Sequence, residues 1–143
     1  VVVGGGLVGT ELAEFLVERG RSVTVLEEGD DLATEMAHPR RWRALHEARA
    51  HGVDFRTGTR LVAITADEVI AHTAATDEKD GDEVRFGADS VLLAGSVQPD
   101  SSLAGAIRTG IGSDVEVHVV GDAGTVGYIE GAIRSGYEVG VGL

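Results

Sequence analysis

The hydrophobic pattern opens with Val1 to Val3, an unbroken apolar run ending in glycines, which suits a strand buried on both faces of a parallel sheet. From Leu7 to Arg19 the apolar positions Val8, Leu12, Phe15 and Leu16 recur at helical spacing, and Gly20 stands where a helix C-terminal glycine belongs. Ser22 to Leu26 reads as a second, β-branched strand. Strand, helix and strand make a βαβ unit, whose crossover should be right-handed.

After a polar loop, Pro39 starts a helix running to Ala50, with Trp42, Leu45 and Ala48 as its inner face and Gly52 closing it. Val53 to Phe55 returns as a third strand. Three β-like segments follow, Arg60 to Thr65, Glu68 to Thr73 and Glu83 to Phe86, joined by Ala66-Asp67 and by the acidic stretch Asp77 to Asp82. They predict an antiparallel meander. Ser90 to Ala94 is another buried strand, ended by Gly95. The last third repeats the logic: strand Val115 to Val120, the pair Gly121-Asp122, then a helix from Tyr128 to the end. Ile129, Ala132 and Ile133 read as that helix's packing face, with Gly136 and Gly140 permitting close approach. The fold class is α/β, a Rossmann-like parallel sheet with an antiparallel three-stranded β-meander crossover.

Composition narrows the function. The 143 residues are 43% hydrophobic with mean hydropathy +0.06, enough for one compact core. The 21 glycines against 2 prolines favour a nucleotide-binding α/β protein over a plain bundle. A net charge of -12 offers no foothold for nucleic acid or an anionic membrane, and neither is expected as a partner. With no cysteine, these residues can form no disulfide, iron-sulfur ligation or redox dithiol, so any redox chemistry must come from a cofactor. No signal peptide and no apolar run near 18 residues is found, which places the protein in the cytoplasm. The chain begins inside a strand and its only methionine is Met36, so a truncated N-terminus is expected.

Gly4, Gly6 and Gly9 fit G-x-G-x-x-G within GGGLVG, directly after a strand and at the opening of a helix. Gly4 permits the tight turn, Gly6 lets the backbone approach a pyrophosphate, and Gly9 allows close packing of helix on strand. The helix start, with Leu7 and Val8, presents free N–H groups and a partial positive charge to phosphates. The competing reading is a glycine-rich turn without a ligand. Glu27 ends the second strand, 23 residues after Gly4, where an acid accepts hydrogen bonds from the adenosine ribose hydroxyls. A carboxylate there repels a ribose 2′-phosphate, and Glu28 adds to the repulsion, so NADH is expected over NADPH. The alternative is a solvated charge at a strand end.

Four stretches, VVVGGGLVGTELA, SVTVLEEG, ADSVLLAGSVQPD and VHVVGDAGTVGYIEGAIRSGYEVG, together resemble the NAD(P)-binding domain of the pyridine nucleotide-disulfide oxidoreductase superfamily. The last is most similar to the C-terminal region of the NADH:flavin oxidoreductase group, which includes 2,4-dienoyl-CoA reductase and trimethylamine dehydrogenase. The resemblance implies an NAD(P)-binding domain over residues 1–112 and, over 113–143, a strand-helix segment matching the end of an FAD-binding domain. It further implies upstream FAD and FMN domains in the same parent chain, with FAD as a second cofactor. Gly121 and Asp122 would meet the flavin, although Asp122 also reads as a turn residue capping the next segment. Glu11 and Gly95 would lie near the nicotinamide; Glu11 also reads as a first-turn acid facing the helix dipole. The family's A-x-G-x-x-P pattern is altered here to Ala94, Gly95, Ser96, Val97, Gln98, Pro99.

No residue reads as a general acid, base or nucleophile. The five histidines, 38, 46, 51, 72 and 118, show no ligand spacing, and the acids from Asp77 to Glu83 lack the order of a calcium loop, so a solvated hairpin turn around Gly81 is expected. Neither tyrosine has a lysine four residues on. The function expected is an NADH-binding part of a flavin-dependent oxidoreductase. Its rival is a non-catalytic ADP-binding or structural module of an amine dehydrogenase of the trimethylamine type. A methyltransferase shares the glycine turn but not the meander or the late Gly-Asp pair.

Overall fold

The computed structural model describes residues 1–75, 81–112 and 115–143. They form two compact units, Val1–Ser96 and Val97–Leu143.

In the first unit, β1 (Val2–Val3), β2 (Thr24–Leu26), β3 (Asp54–Arg56) and β7 (Leu92–Leu93) make a parallel sheet in the order β3-β2-β1-β7. The order turns back at β1: the chain first adds strands on one side, then crosses to the other. In sheets of this kind the crevice at that reversal, beyond the carboxyl ends of the strands, is where ligands bind. Helices α1 (Leu7–Val17) and α2 (His38–Ala50) provide the crossovers between β1, β2 and β3. Strands β4 (Thr59–Ile64), β5 (Glu68–Thr73) and β6 (Glu83–Gly87) form the antiparallel meander. The expected fold class is therefore what the chain adopts. Of the acidic link before β6, residues 76–80 lie outside the described residues.

The strand period of two divides the core. Val2 and Val25 pack with Ala13, Val23, Ala48 and Val53 on the helical face, while Leu26, the next residue along β2, packs with Val69 and Ala71 of the meander. Two helix faces differ from expectation. On α1 the buried positions are Gly9, Thr10 and Ala13, whereas Val8 and Phe15 stand half exposed. Small residues let α1 lie against β1, while the predicted Leu12 and Leu16 pack half-buried at the margin of that core and only Val8 and Phe15 turn outward. On α2 Leu45 and Ala48 face inward as predicted, but Trp42 is 64% exposed and stacks on His46. Half-buried Arg41 takes the inner place and donates from Nε to the Leu32 carbonyl at 2.6 Å.

In the second unit, α3 (Ser102–Gly110), a 3₁₀ turn (Gly121–Ala123) and α4 (Tyr128–Gly142) are the regular elements. Helix α3 has no counterpart in the sequence reading. The predicted strand over Val115–Val120 is not formed: the described residues 115–120 pair with no strand. An extended segment becomes a strand only against a neighbour that completes its backbone ladder, and this unit holds no other strand among its described residues. Helix α4 forms as expected, but Ile129 and Ile133 are exposed, and a Cβ added at Gly136 or Gly140 would meet nothing within 4 Å. The face turned toward the 3₁₀ turn carries Ala132, as predicted, whose Cβ lies 3.4 Å from where a Cβ on Gly121 would stand, together with Ser135, whose hydroxyl closes the turn's open amide.

Candidate dinucleotide site

Between β1 and α1 the chain reverses through Gly4–Gly6. Gly4 has φ +109°, a conformation that costs an L side chain dearly, and it is hydrogen-bonded through its N–H to the Leu26 carbonyl at 2.8 Å. Its neighbour across the sheet is the end of β7: a Cβ on Gly4 would stand 2.5 Å from the Ala94 oxygen and 2.8 Å from the Gly95 nitrogen. Gly9 is tighter still, since a Cβ there would lie 1.8 Å from the Gly4 oxygen. These contacts bring Gly4, Gly9 and Gly95 together and draw the first turn of α1 onto the strand ends. The buried Thr10 ties the turn further, its hydroxyl donating to the Gly5 carbonyl at 3.3 Å.

Glu27 follows β2 directly. Its Oε2 accepts the Gly5 N–H at 2.7 Å and its Oε1 accepts the Gly29 N–H at 2.8 Å. The carboxylate is thus fixed beside the glycine turn, and each oxygen keeps acceptor capacity beyond the amide it already holds. This contact spans 22 residues and brings Glu27 to the fingerprint. Gly5 was not among the predicted positions, yet a Cβ on it would meet Leu32 Cδ2 at 2.5 Å and Glu27 Cβ at 2.9 Å. The three consecutive glycines were the available signal.

Gly6 precedes α1, and Leu7 and Val8 are its first two residues. The Leu7 N–H donates to Glu35 Oε2 at 3.2 Å, so a carboxylate from the following loop already sits at the helix start. Glu35 also went unpredicted, because 28 residues separate it from Leu7 and no local pattern announces the contact. Glu11 lies one turn further along than its dipole role requires: α1 has no acid in its first turn. Its carboxylate instead meets Arg40 Nη2 of α2 at 2.6 Å, with both side chains largely exposed.

In the second unit, the Gly121 N–H donates to Ser135 Oγ at 2.8 Å, and Asp122 Oδ1 accepts the Gly127 N–H at 3.0 Å just before α4. Asp122 thus closes the link into the helix. Beside it a cavity of about 300 Å³ is lined by Val119, Gly121, Gly124, Thr125, Gly127, Gly131, Arg134, Ser135 and Glu138. Among the described residues no three histidine, aspartate or glutamate side chains are grouped to hold a metal, and no helix is long and apolar enough to cross a membrane.

The sequence pattern of the family described as pyridine nucleotide-disulphide oxidoreductase matches residues 1–124. The chain belongs to that family. Among its relatives, an NADH oxidase from Thermoanaerobacter brockii is 33% identical over 139 residues, which are 97% of this chain and 20% of the relative. Of solved structures, 2-naphthoyl-CoA reductase in complex with 2-naphthoyl-CoA superposes with a TM-score of 0.80 at 29% identity, over 99% of this chain and 20% of the other. Histamine dehydrogenase from Rhizobium sp. 4-9 gives 0.80 over 96% of this chain and 22% of the other, and at 23% identity it shows the shared fold alone. The chain spans about a fifth of the length of the first curated relatives it matches.

Proposed function

We propose that this chain binds NADH, with the adenosine diphosphate part at the Gly4–Gly9 turn and Glu27, and holds the nicotinamide for reaction with a flavin of the parent enzyme. The observation that carries the reading is the opening of α1 at the sheet's point of reversal, with Gly6 bare where a side chain would fill the approach and Gly4 and Gly9 letting the turn close on the strand ends. Gly6 is the telling position. A Cβ there would meet only the tip of Glu35 at 2.8 Å, not backbone, so the bare surface at Gly6 faces a side chain that can move. The carboxylate at the Leu7 amide indicates that this helix start suits an anion.

In this reading Gly4, Gly6, Leu7, Val8 and Gly9 hold the diphosphate. Glu27, already oriented by two amides, accepts from the ribose hydroxyls and disfavours a 2′-phosphate, which is the basis for NADH over NADPH. Glu11 and Gly95 lie toward the nicotinamide, and Gly121 with Asp122 toward the flavin, within a domain division at 112/113 and with FAD and FMN domains elsewhere in the parent. Held there, the nicotinamide would supply a hydride to the flavin, and the protein's residues would contribute placement and electrostatics. The cytoplasm is the compartment this reading assumes. The similarity to an NADH oxidase and to a CoA-ester reductase supports hydride transfer. The fold shared with histamine dehydrogenase keeps the second reading, an ADP-binding or structural module of an amine dehydrogenase, in view.

Rapid mixing of the full-length protein with NADH separates the two. Prompt loss of flavin absorbance, slower with NADPH, is the expected result. Glu27→Gln, which keeps the shape and removes the charge, should narrow the NADH/NADPH ratio of the observed rates by about tenfold, the effect of removing one charge-assisted contact. No bleaching with either nucleotide would leave the module reading standing and end the oxidoreductase one.

A further inference from the structure

Resting on the dinucleotide reading above, we propose that Glu35 is an internal competitor for the diphosphate position: its carboxylate holds the Leu7 amide at the start of α1 and leaves it when a nucleotide binds. Two contacts place it there. Oε2 accepts the Leu7 N–H at 3.2 Å, and Oε1 lies 2.8 Å from where a Cβ on Gly6 would stand, so the carboxylate fills the approach that the missing side chain leaves open. Gly6 itself has no side chain with which to cap the helix, so the capping acceptor comes from another part of the chain.

The segment that carries Glu35 is fastened to the turn it covers. The Ala33 N–H donates to the Gly5 carbonyl at 2.7 Å, and Leu32, Ala33 and Met36 are all buried. Ala33 is held at φ +48°, in the left-handed region that an alanine rarely adopts, which the packing around it sustains. The backbone is therefore fixed, while Glu35 itself is exposed and can rotate away without moving the segment. Among the described residues no cation pairs with it. The two arginines that open α2 are engaged elsewhere, Arg40 with Glu11 and Arg41 with Asp31.

Glu27 makes the contrast. Its two oxygens each hold an amide, at 2.7 and 2.8 Å, so it stays in place as part of the site, whereas Glu35 has one longer bond. A diphosphate carries more charge than one carboxylate and can engage several amides at once, so it wins at the helix start, and Glu35 must move to escape its repulsion. The intrinsic affinity is thereby lowered by the work of displacing Glu35. The same acid guards the exposed amides against smaller anions.

Calorimetric titration of the full-length protein with ADP, and with adenosine as a ligand lacking phosphate, tests this. Glu35→Gln and Glu35→Ala should each tighten ADP by about three- to tenfold, the range set by one charge near a helix start, and leave adenosine unchanged. ADP affinity unaltered or weakened in both variants, with wild type binding, overturns the competitor role and leaves the dinucleotide reading intact. Equal tightening of adenosine and ADP also overturns it. Failure of wild type and both variants to bind ADP removes both proposals together.

Discussion

Val2, Val25 and Ala13 in the first unit are wholly shielded from solvent, while Leu103, Ile129 and Ile133 in the second stand 71, 79 and 68% exposed. Both units contain helices with apolar residues at helical spacing, yet among the described residues every fully buried side chain belongs to Val1–Ser96. Periodicity is thus enough to form a helix, and burial requires a surface to face it. In the first unit a sheet supplies that surface on both sides. In the second, α4 runs Ile129, Ile133, Tyr137 and Val141 along one exposed line, and its links to the 3₁₀ turn are polar, through Ser135 and Asp122. The first unit's stability should therefore depend on apolar packing and glycine clearance, and the second's on local hydrogen bonds at its turns and helix starts.

The largest effect that follows is at Gly9. An alanine would place its Cβ 1.8 Å from the backbone oxygen of Gly4, where nothing can rotate aside. Gly9→Ala should cost about 3 kcal/mol, the upper part of the range for overpacking, as the helix is pushed off the strand. Denaturant titration of the full chain, with amide exchange reporting on each unit, checks it; protection in α1 should fall while α4 is unchanged. Intact α1 protection would show the close approach to be dispensable.

Next comes a pair that asks whether hydrophobic side chains matter in both regions. Val25→Ala deletes two methyls at a wholly buried site and should cost about 2 kcal/mol. Ile133→Ala removes more carbon from a site that remains mostly solvated, and should cost about 0.5 kcal/mol or less. Equal losses would mean that α4 has an apolar surface to face, and the comparison between the units would fail.

These contrasts also explain what could be read in the residues alone. The β1–α1–β2 unit is legible because valines, glycines and a strand-end acid each state a local requirement, and the meander is legible from three short β-like runs with turns between them. Val115–Val120 misleads because an apolar run looks the same whether or not a partner strand exists; the partner is a property of the rest of the fold. Helix α3 is hidden by Gly105 and Gly110, which lower helix propensity across a nine-residue element. The inner face of α2 depends on where Leu32 places its carbonyl, and so Arg41 displaces Trp42 for a reason no helical wheel contains. At the candidate site the glycines and Glu27 are visible as a motif, whereas Glu35 is found only when the chain has folded back over 28 residues.

The smallest expected effect concerns the local caps. The Ser102 N–H, at the first residue of α3, donates to Asp100 Oδ1 at 2.9 Å. Hydrogen bonding from Ser102, through its hydroxyl first and its amide second, holds the Asp100 carboxyl below the ordinary aspartate range. A carboxylate with a lowered folded value contributes stabilisation that is complete above the unfolded value, near pH 4, and that disappears as the pH falls through the folded one. Helix α3 should accordingly fray at acid pH below about 4. Carbon-detected NMR of the Asp100 carboxyl, followed together with the α3 amides, reads both events in one titration. Asp100→Asn should abolish the pH dependence of the α3 signals while leaving the helix formed at neutral pH, since an asparagine oxygen still accepts the Ser102 N–H. If the carboxyl titrates at the ordinary value, or the α3 amides ignore its protonation, then α3 is held by something other than its cap and the second unit is less dependent on local bonding than its exposure indicates.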